Sequence, residues 1–167
     1  MNRVWSTFID YFLPKKCFYC RKLSEFFPLC YQCLQELSPT LTPKNIEGIQ
    51  GNAILHYDNP IARKLILGYK HGDLTFLANF FVTLIGGQIG EEGTENTLLL
   101  PVPLHWTRLW RRQYNQSGLL AQKLGKLWGI PVFQGVTRIK KTKSQGHLKT
   151  PERLLNLAGA FQISQKN

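Results

Sequence analysis

Long apolar runs and a signal peptide are both missing from this sequence of 167 residues. No uninterrupted apolar stretch reaches the ~18 residues that suggest a membrane-spanning helix. The first residues lack the basic start, apolar stretch and small-residue cleavage site of a secretory signal, so we expect a cytoplasmic protein without a membrane span. Hydrophobic residues still make up 43% of the chain, which suffices for a core and excludes global disorder.

Acidic residues are almost missing from the C-terminal part. Residues 101–167 hold twelve Lys or Arg against one acid, Glu152, whereas residues 1–100 hold nine of each sign. The scarcity of acids argues against a two-carboxylate hydrolase or a metal-dependent nuclease. The net charge of +11 therefore lies in one block, which attracts nucleic-acid phosphates or a phosphorylated small molecule. A basic face that only aids solubility is the alternative.

The four cysteines form two C-x-x-C pairs, Cys17 with Cys20 and Cys30 with Cys33. Each pair makes a tight turn with two thiolates facing one point, and two such turns complete a tetrahedral four-sulfur site for Zn²⁺. The spacing predicts a structural zinc knuckle whose metal supplies folding energy. Two disulfides and a redox C-x-x-C are the alternatives, and the reduced thiols of a cytoplasmic protein disfavour disulfides.

Strand-like and helical segments alternate after the cysteines, which is typical of an α/β fold. Residues 97–102 are apolar at every position after Thr97, which predicts a strand covered on both faces, as in a parallel sheet. An amphipathic helix is predicted over residues 4–13, before the knuckle. We place the helix and knuckle in residues 1–44 and the main α/β domain in residues 45–167.

Three arginines follow the apolar strand: Arg108, Arg111 and Arg112. Ligands of open α/β sheets bind beyond the carboxyl ends of the strands, and guanidinium groups match phosphate oxygens. Asn115 is expected to cap the next helix, whose N-terminus adds partial positive charge. These residues predict an anion site.

A second basic segment covers residues 138–149 and includes Lys143 and Gln145. Its composition suits either a mobile loop that closes over a phosphate ligand or a solvated loop without a ligand. Aromatic residues lie among the basic ones of this half of the chain, at Trp106, Trp110, Tyr114 and Trp128. A non-catalytic module that binds single-stranded nucleic acid is therefore a second hypothesis, and a protein-interaction subunit is a third.

Short motifs along nearly the whole chain together resemble the ComF family of competence-associated proteins, whose main domain is similar to type I phosphoribosyltransferases. After the cysteine knuckle, the motifs are Tyr69-Lys70-x-Gly72, Pro101-Val-Pro103-Leu-His105, Arg111-Arg-Gln-Tyr-Asn-Gln116, Arg138, Thr142, Gln145, Leu148, Glu152-Arg153, Asn156 and Gly159-Ala-Phe161.

The resemblance implies a zinc knuckle followed by a truncated phosphoribosyltransferase-like parallel sheet. Residues 101–103 and the arginines would hold the pyrophosphate of a phosphoribosyl pyrophosphate-like ligand, with Mg²⁺ if the protein is active. Residues 138–149 would close over it, and Arg153 would join the phosphate-binding set. The family is also tied to natural competence and to the use of imported single-stranded DNA, often beside a helicase partner.

Two departures from the family pattern stand out. Gln113 occupies a position where the family usually has glycine. The family also continues beyond the point equivalent to Asn167, into a strand ending in two acids and a Thr-Thr-Gly-Thr-like loop that cradles the 5-phosphate. From the sequence as written, we expect phosphoribosyl transfer to be severely weakened or absent.

Overall fold

The computed structural model describes residues 15–46, 48–89, 96–145 and 148–164. The chain divides into two compact units, residues 1–90 and residues 91–167. The predicted boundary between residues 44 and 45 falls inside the first unit and stays a prediction. The predicted helix over residues 4–13 lies outside the described residues. No helix in the described ranges is long and apolar enough to cross a membrane.

The first unit combines a hairpin with three helices. Its elements are α1 (Tyr31–Leu37), β1 (Thr42–Ile46), β2 (Ile49–Ala53), α2 (Pro60–His71) and α3 (Leu77–Ile89). Strands β1 and β2 pair antiparallel, with Asn45 opposite Gln50. Gly48 lies in the turn at a φ of +83°, a conformation that glycine adopts without strain.

Helices α2 and α3 supply much of the buried core of this unit. The side chain of Asn59 begins α2 by accepting hydrogen bonds from the backbone N–H groups of Ile61 (2.9 Å) and Ala62 (3.1 Å). The rings of Tyr69 and Phe81 pack 5.3 Å apart between the two helices. The buried side chains of these helices are Ile61, Ala62, Leu65, Tyr69, Leu77, Ala78 and Phe81.

The second unit contains α4 (Trp106–Arg112), α5 (Gln116–Trp128), β3 (Val136–Arg138), α6 (Thr150–Leu157) and β4 (Phe161–Ile163). Strands β3 and β4 pair antiparallel, with Thr137 opposite Gln162. At the end of α4, Gln113 has a φ of +62°, in the left-handed region that favours glycine. This conformation gives a physical reason for the glycine of the family pattern at that position.

The mixed α/β class is confirmed, whereas the parallel sheet is not. In the described ranges, both named sheets are two-stranded and antiparallel. Parallel pairing is limited there to isolated bridges, of Leu99 with Val132 and of His105 with Arg138.

The prediction that residues 97–102 are covered on both faces is wrong. Leu98 and Leu100 are 52% and 51% exposed, and only Leu99 of this segment forms a bridge. A side chain of Leu99 approaches Gly125 on α5, so α5 covers that face of the segment. The apolar run favours a buried strand, but the sequence alone could not show which helices or strands pack against each of its faces.

Candidate metal centre and anion site

The structure brings the four cysteines together. Their sulfur atoms all lie within 4.8 Å of one another, and the Sγ atoms of Cys20 and Cys30 are 3.6 Å apart. Four thiolates around Zn²⁺ at ~2.3 Å leave about 3.8 Å between neighbouring sulfurs, so these residues fit a tetrahedral ion. The cluster is positioned to bind a metal ion.

Local backbone structure explains why the sulfurs converge. The first pair lies in a knuckle flanked by an antiparallel bridge between Lys16 and Leu23, and the N–H of Cys17 donates to the carbonyl of Lys22 (2.8 Å). The second pair opens α1: Cys30 is its N-cap residue and Cys33 lies in its first turn. The N-terminus of a helix favours negative charge, which suits a thiolate ligand.

The two buried thiols, Cys17 and Cys33, differ in their protonation. Burial alone would raise the pKa of Cys17, but backbone N–H groups that donate to its sulfur, led by that of Cys20, lower the pKa to about 6. Burial raises the pKa of Cys33 above its ordinary value, and hydrogen bonds with the other cysteines raise it further. Without metal, Cys17 is therefore the ionised member of the pair at neutral pH and Cys33 the protonated one.

Helix α2 fixes the knuckle in the first unit. The ammonium group of Lys64 donates to the carbonyl of Tyr19 (3.1 Å) and lies 5.6 Å from the ring centroid of Phe18. Gly68 makes room for that ring, because a Cβ there would be 3.0 Å from Phe18 Cζ. The cysteine cluster is thus packed on a helix of the same unit.

In the second unit, two arginines converge on one threonine. The Nη2 group of Arg108 donates to the carbonyl of Thr142 (2.7 Å), and the Nη2 group of Arg138 donates to the hydroxyl of Thr142. Thr142 is only 6% exposed. We define Arg108, Arg112 and Arg138 as the arginine cluster.

Burial and mutual repulsion act on this cluster. Desolvation lowers the pKa of Arg112, and the charges of Arg108 and then Arg111 lower it further. Desolvation followed by the charge of Arg108 likewise lowers the pKa of Arg138. The charge of Arg108 is therefore close enough to repel those of both Arg112 and Arg138.

The described part of this unit offers the arginine cluster no counter-charge. Its one described acid, Glu152, accepts instead from the backbone N–H of Lys149 (2.7 Å). The buried Nε groups of Arg112 and Arg138 have no hydrogen-bond partner within the described ranges. A set of cations with unused donors is suited to an oxyanion.

The structure places the other predicted phosphate-binding residues differently. Arg111 is exposed next to the arginine cluster, and its charge acts on Arg112. Asn115 precedes α5, but its side chain does not cap the helix, which corrects the prediction. Its Nδ2 group donates to the carbonyl of Val102 (3.2 Å) instead, and its Oδ1 accepts from Ser117. Asn115 therefore ties the preceding loop to α5.

Three further predicted residues form no hydrogen bond with the arginine cluster among the described residues. Lys143 is exposed and its backbone is bound by Asn156, Gln145 is half-buried, and Arg153 donates through Nε to the carbonyl of Leu148 (2.8 Å). Sequence reasoning missed Arg138 and Thr142 as individual members of the site. Both belong to the quoted family motifs, which is the signal that would have found them.

The fold and these two sites define a mixed α/β protein with four cysteines positioned to bind a metal ion in its first unit and an arginine cluster in its second. The chain is 28% identical to Competence protein F of Haemophilus influenzae over 89% of its own length and 69% of that protein. It is also 41% identical, over 66 residues, to DNA utilization protein YhgH of Salmonella typhi and of Salmonella typhimurium. That match covers 39% of this chain and 29% of those proteins. No protein-family model matches the chain. The relatives support the resemblance to the ComF family.

Proposed function

We propose that this protein acts in DNA uptake and use, and that it binds phosphate groups at the arginine cluster. The names of the relatives, competence protein and DNA utilization protein, support the general role. The observation that carries the phosphate site is the convergence of Arg108 and Arg138 on Thr142 beside Arg112, with two Nε donors unpartnered in the described residues.

We further propose that the cysteine cluster holds Zn²⁺. Thiolates are soft ligands that suit this ion, and four sulfur ligands leave no coordination position for water. The role of the metal is then structural, which agrees with the packing of the knuckle on α2.

The proposed ligand of the arginine cluster is a phosphoribosyl pyrophosphate-like molecule. Guanidinium forks donate two parallel hydrogen bonds to phosphate oxygens, and the low exposure of the cluster strengthens them. Mg²⁺ would accompany such a pyrophosphate group and neutralise part of its charge. The protein's own contribution is to hold and orient the phosphates.

Calorimetric titration with phosphoribosyl pyrophosphate tests this site. We expect the wild-type chain to bind and the Arg111→Ala, Arg112→Ala double variant to bind at least tenfold more weakly, since hydrogen bonds to charged groups contribute about 1.5–3 kcal/mol each. The matched control is Lys123→Ala, Lys126→Ala, which removes the same charge from α5 and should bind like the wild type. Absence of binding by the wild-type chain, or equal losses in both double variants, would contradict the proposal.

A second candidate function, binding of single-stranded DNA, is favoured by two tryptophans on α4. Trp106 and Trp110 are 70% and 79% exposed and lie four residues apart, on one face of the helix. Arg111 follows them directly. Exposed rings beside cationic side chains are how proteins stack the bases and hold the phosphates of single strands.

A fluorescent thymidine oligonucleotide tests the second candidate. We expect a Trp106→Ala, Trp110→Ala variant to lose about tenfold or more in affinity, because stacking contributes about 1–3 kcal/mol per base. Affinity should also fall with added salt as counterions are released. Tyr57→Ala, which removes an exposed ring of the first unit, is the control. Equal binding by both variants, or binding insensitive to salt, would reject this function.

A further inference from the structure

Thr142 presents two oxygen atoms to two different arginines. Its carbonyl oxygen accepts from Arg108 and its hydroxyl oxygen accepts from Arg138. One phosphate group would use two of its oxygens in the same way, with charge-assisted bonds in place of neutral ones. Thr142 therefore fills the position between the two guanidinium groups with a neutral mimic of a phosphate.

The chain next to Thr142 is held in place by α6. The Oδ1 of Asn156 accepts from the backbone N–H of Lys143 (3.2 Å), and its Nδ2 donates to the carbonyl of Lys143 (3.1 Å). These two bonds form a clamp on a segment that otherwise carries exposed lysines, Lys140, Lys141 and Lys143. The clamp keeps Thr142 buried between the arginines.

Neutral oxygens leave the arginine cluster incompletely satisfied. The repulsion between Arg108 and Arg138 is not offset by a negative charge from the described residues of this unit. The buried Nε groups of Arg112 and Arg138 also lack partners within the described ranges. An oxyanion in the position of Thr142 would supply both the charge and further acceptor lone pairs.

Resting on the proposed phosphate-binding function, we propose that Thr142 occupies the site of one phosphate group and that a terminal phosphate displaces it. The anion binds between Arg108 and Arg138, and the clamp of Asn156 on Lys143 opens as Thr142 leaves. The clamp therefore opposes binding, because breaking its two hydrogen bonds makes the free energy of anion binding less favourable.

Titration of wild type and Asn156→Ala with inorganic pyrophosphate tests the displacement. We expect Asn156→Ala to bind about tenfold more tightly, because two ordinary hydrogen bonds no longer oppose release. Thr142→Val, which keeps the shape but loses the hydroxyl acceptor, should bind about threefold more tightly. Leu155→Ala truncates an exposed neighbour on α6 and should match the wild type. Unchanged or weaker binding by Asn156→Ala, with normal binding by the wild type, would overturn the displacement but keep the proposed function.

Trypsin provides a second readout on the wild-type chain. Displacement of Thr142 frees the segment around Lys140, Lys141 and Lys143, so we expect pyrophosphate to speed cleavage there severalfold relative to cleavage at Lys44 in β1. Slower cleavage in pyrophosphate would overturn the displacement. Absence of pyrophosphate binding by both wild type and Asn156→Ala would overturn the displacement and the phosphate site together.

A thymidine oligonucleotide without terminal phosphates distinguishes two possible ligands of the site, a terminal phosphate and a phosphodiester of a nucleic-acid strand. If Asn156→Ala tightens binding of pyrophosphate alone, the site takes a terminal phosphate, as we expect for so buried a position. An equal gain for the oligonucleotide would support displacement by a phosphodiester and overturn the assignment to a terminal phosphate.

Discussion

The cysteine cluster of the first unit and the arginine cluster of the second pose opposite electrostatic problems. Four sulfurs within 4.8 Å of one another can all ionise only if a cation joins them. The arginine cluster gathers cationic groups, and an anion would relieve their repulsion. When no ligand is bound, the opposite pKa shifts of Cys17 and Cys33 reduce the negative charge of the cysteine cluster. The neutral oxygens of Thr142 accept hydrogen bonds from the arginine cluster.

The two clusters also differ in how far apart their members lie in the chain. The cysteines fall within residues 17–33 and depend on local turns, whereas the hydrogen bond from Arg108 to Thr142 joins residues 34 positions apart. A locally built site can be read from spacing, but a site built by tertiary packing cannot. Substitutions in each unit test this difference between the two clusters.

The largest expected effect is on the cysteine cluster. Cys17→Ser should reduce bound zinc from about one ion per chain to almost none and unfold the knuckle, because structural zinc contributes ~10 kcal/mol or more to such small domains. Zinc analysis and circular dichroism measure both effects. Gln32→Ala, between the ligands of the second pair, is the control and should retain its metal. Full zinc content in Cys17→Ser would exclude the four-sulfur site.

A smaller effect concerns the protons released when zinc binds. Cys17 has a pKa lowered to about 6, so it is already a thiolate at pH 7.5, and binding should release fewer than four protons. In the metal-free chain, the stabilisation due to this thiolate is present at high pH and is lost as the pH falls through about 6. Below that pH, the number of protons released per bound zinc ion should therefore rise toward four, while the zinc affinity falls.

Calorimetry in buffers of different ionisation enthalpy gives the proton count directly. A release of four protons at pH 7.5 would show that Cys17 is protonated before the metal arrives. Gln32→Ala again serves as the control, since it alters no thiol.

The smallest expected effects come from two helical glycines, one in each unit. A Cβ at Gly125 in α5 would lie 2.7 Å from the carbonyl oxygen of Ile130, so Gly125→Ala should destabilise the second unit by about 1–3 kcal/mol. Apart from its chain neighbours and the backbone of its own helix, no described atom lies within 4 Å of a Cβ at Gly87 in α3. Gly87→Ala should therefore stabilise the first unit by about 0.5–1 kcal/mol. Urea unfolding measures both changes, and equal signs would contradict the packing described here.

Much of the cysteine cluster and the mixed α/β class could be predicted from the sequence. The role of Asn115 could not, because its side chain bonds the carbonyl of Val102 and the hydroxyl of Ser117 and accepts no hydrogen bond from the first backbone N–H groups of α5. The exposure of Leu98 and Leu100 could not either, since an apolar run does not show which elements cover it. Thr142 belongs to one of the motifs that resemble the family, but only the packing of the chain shows that it lies between two arginines.

The most direct test of the arginine cluster as a phosphate site is the NMR signal of its Nε–H groups. The signals of Arg112 and Arg138, assigned through the variants Arg112→Lys and Arg138→Lys, should shift on addition of pyrophosphate and saturate with it. The signals of Arg21 and Arg63 in the first unit should stay in place. Shifts of equal size for all four arginines, or none for Arg112 and Arg138, would contradict the account.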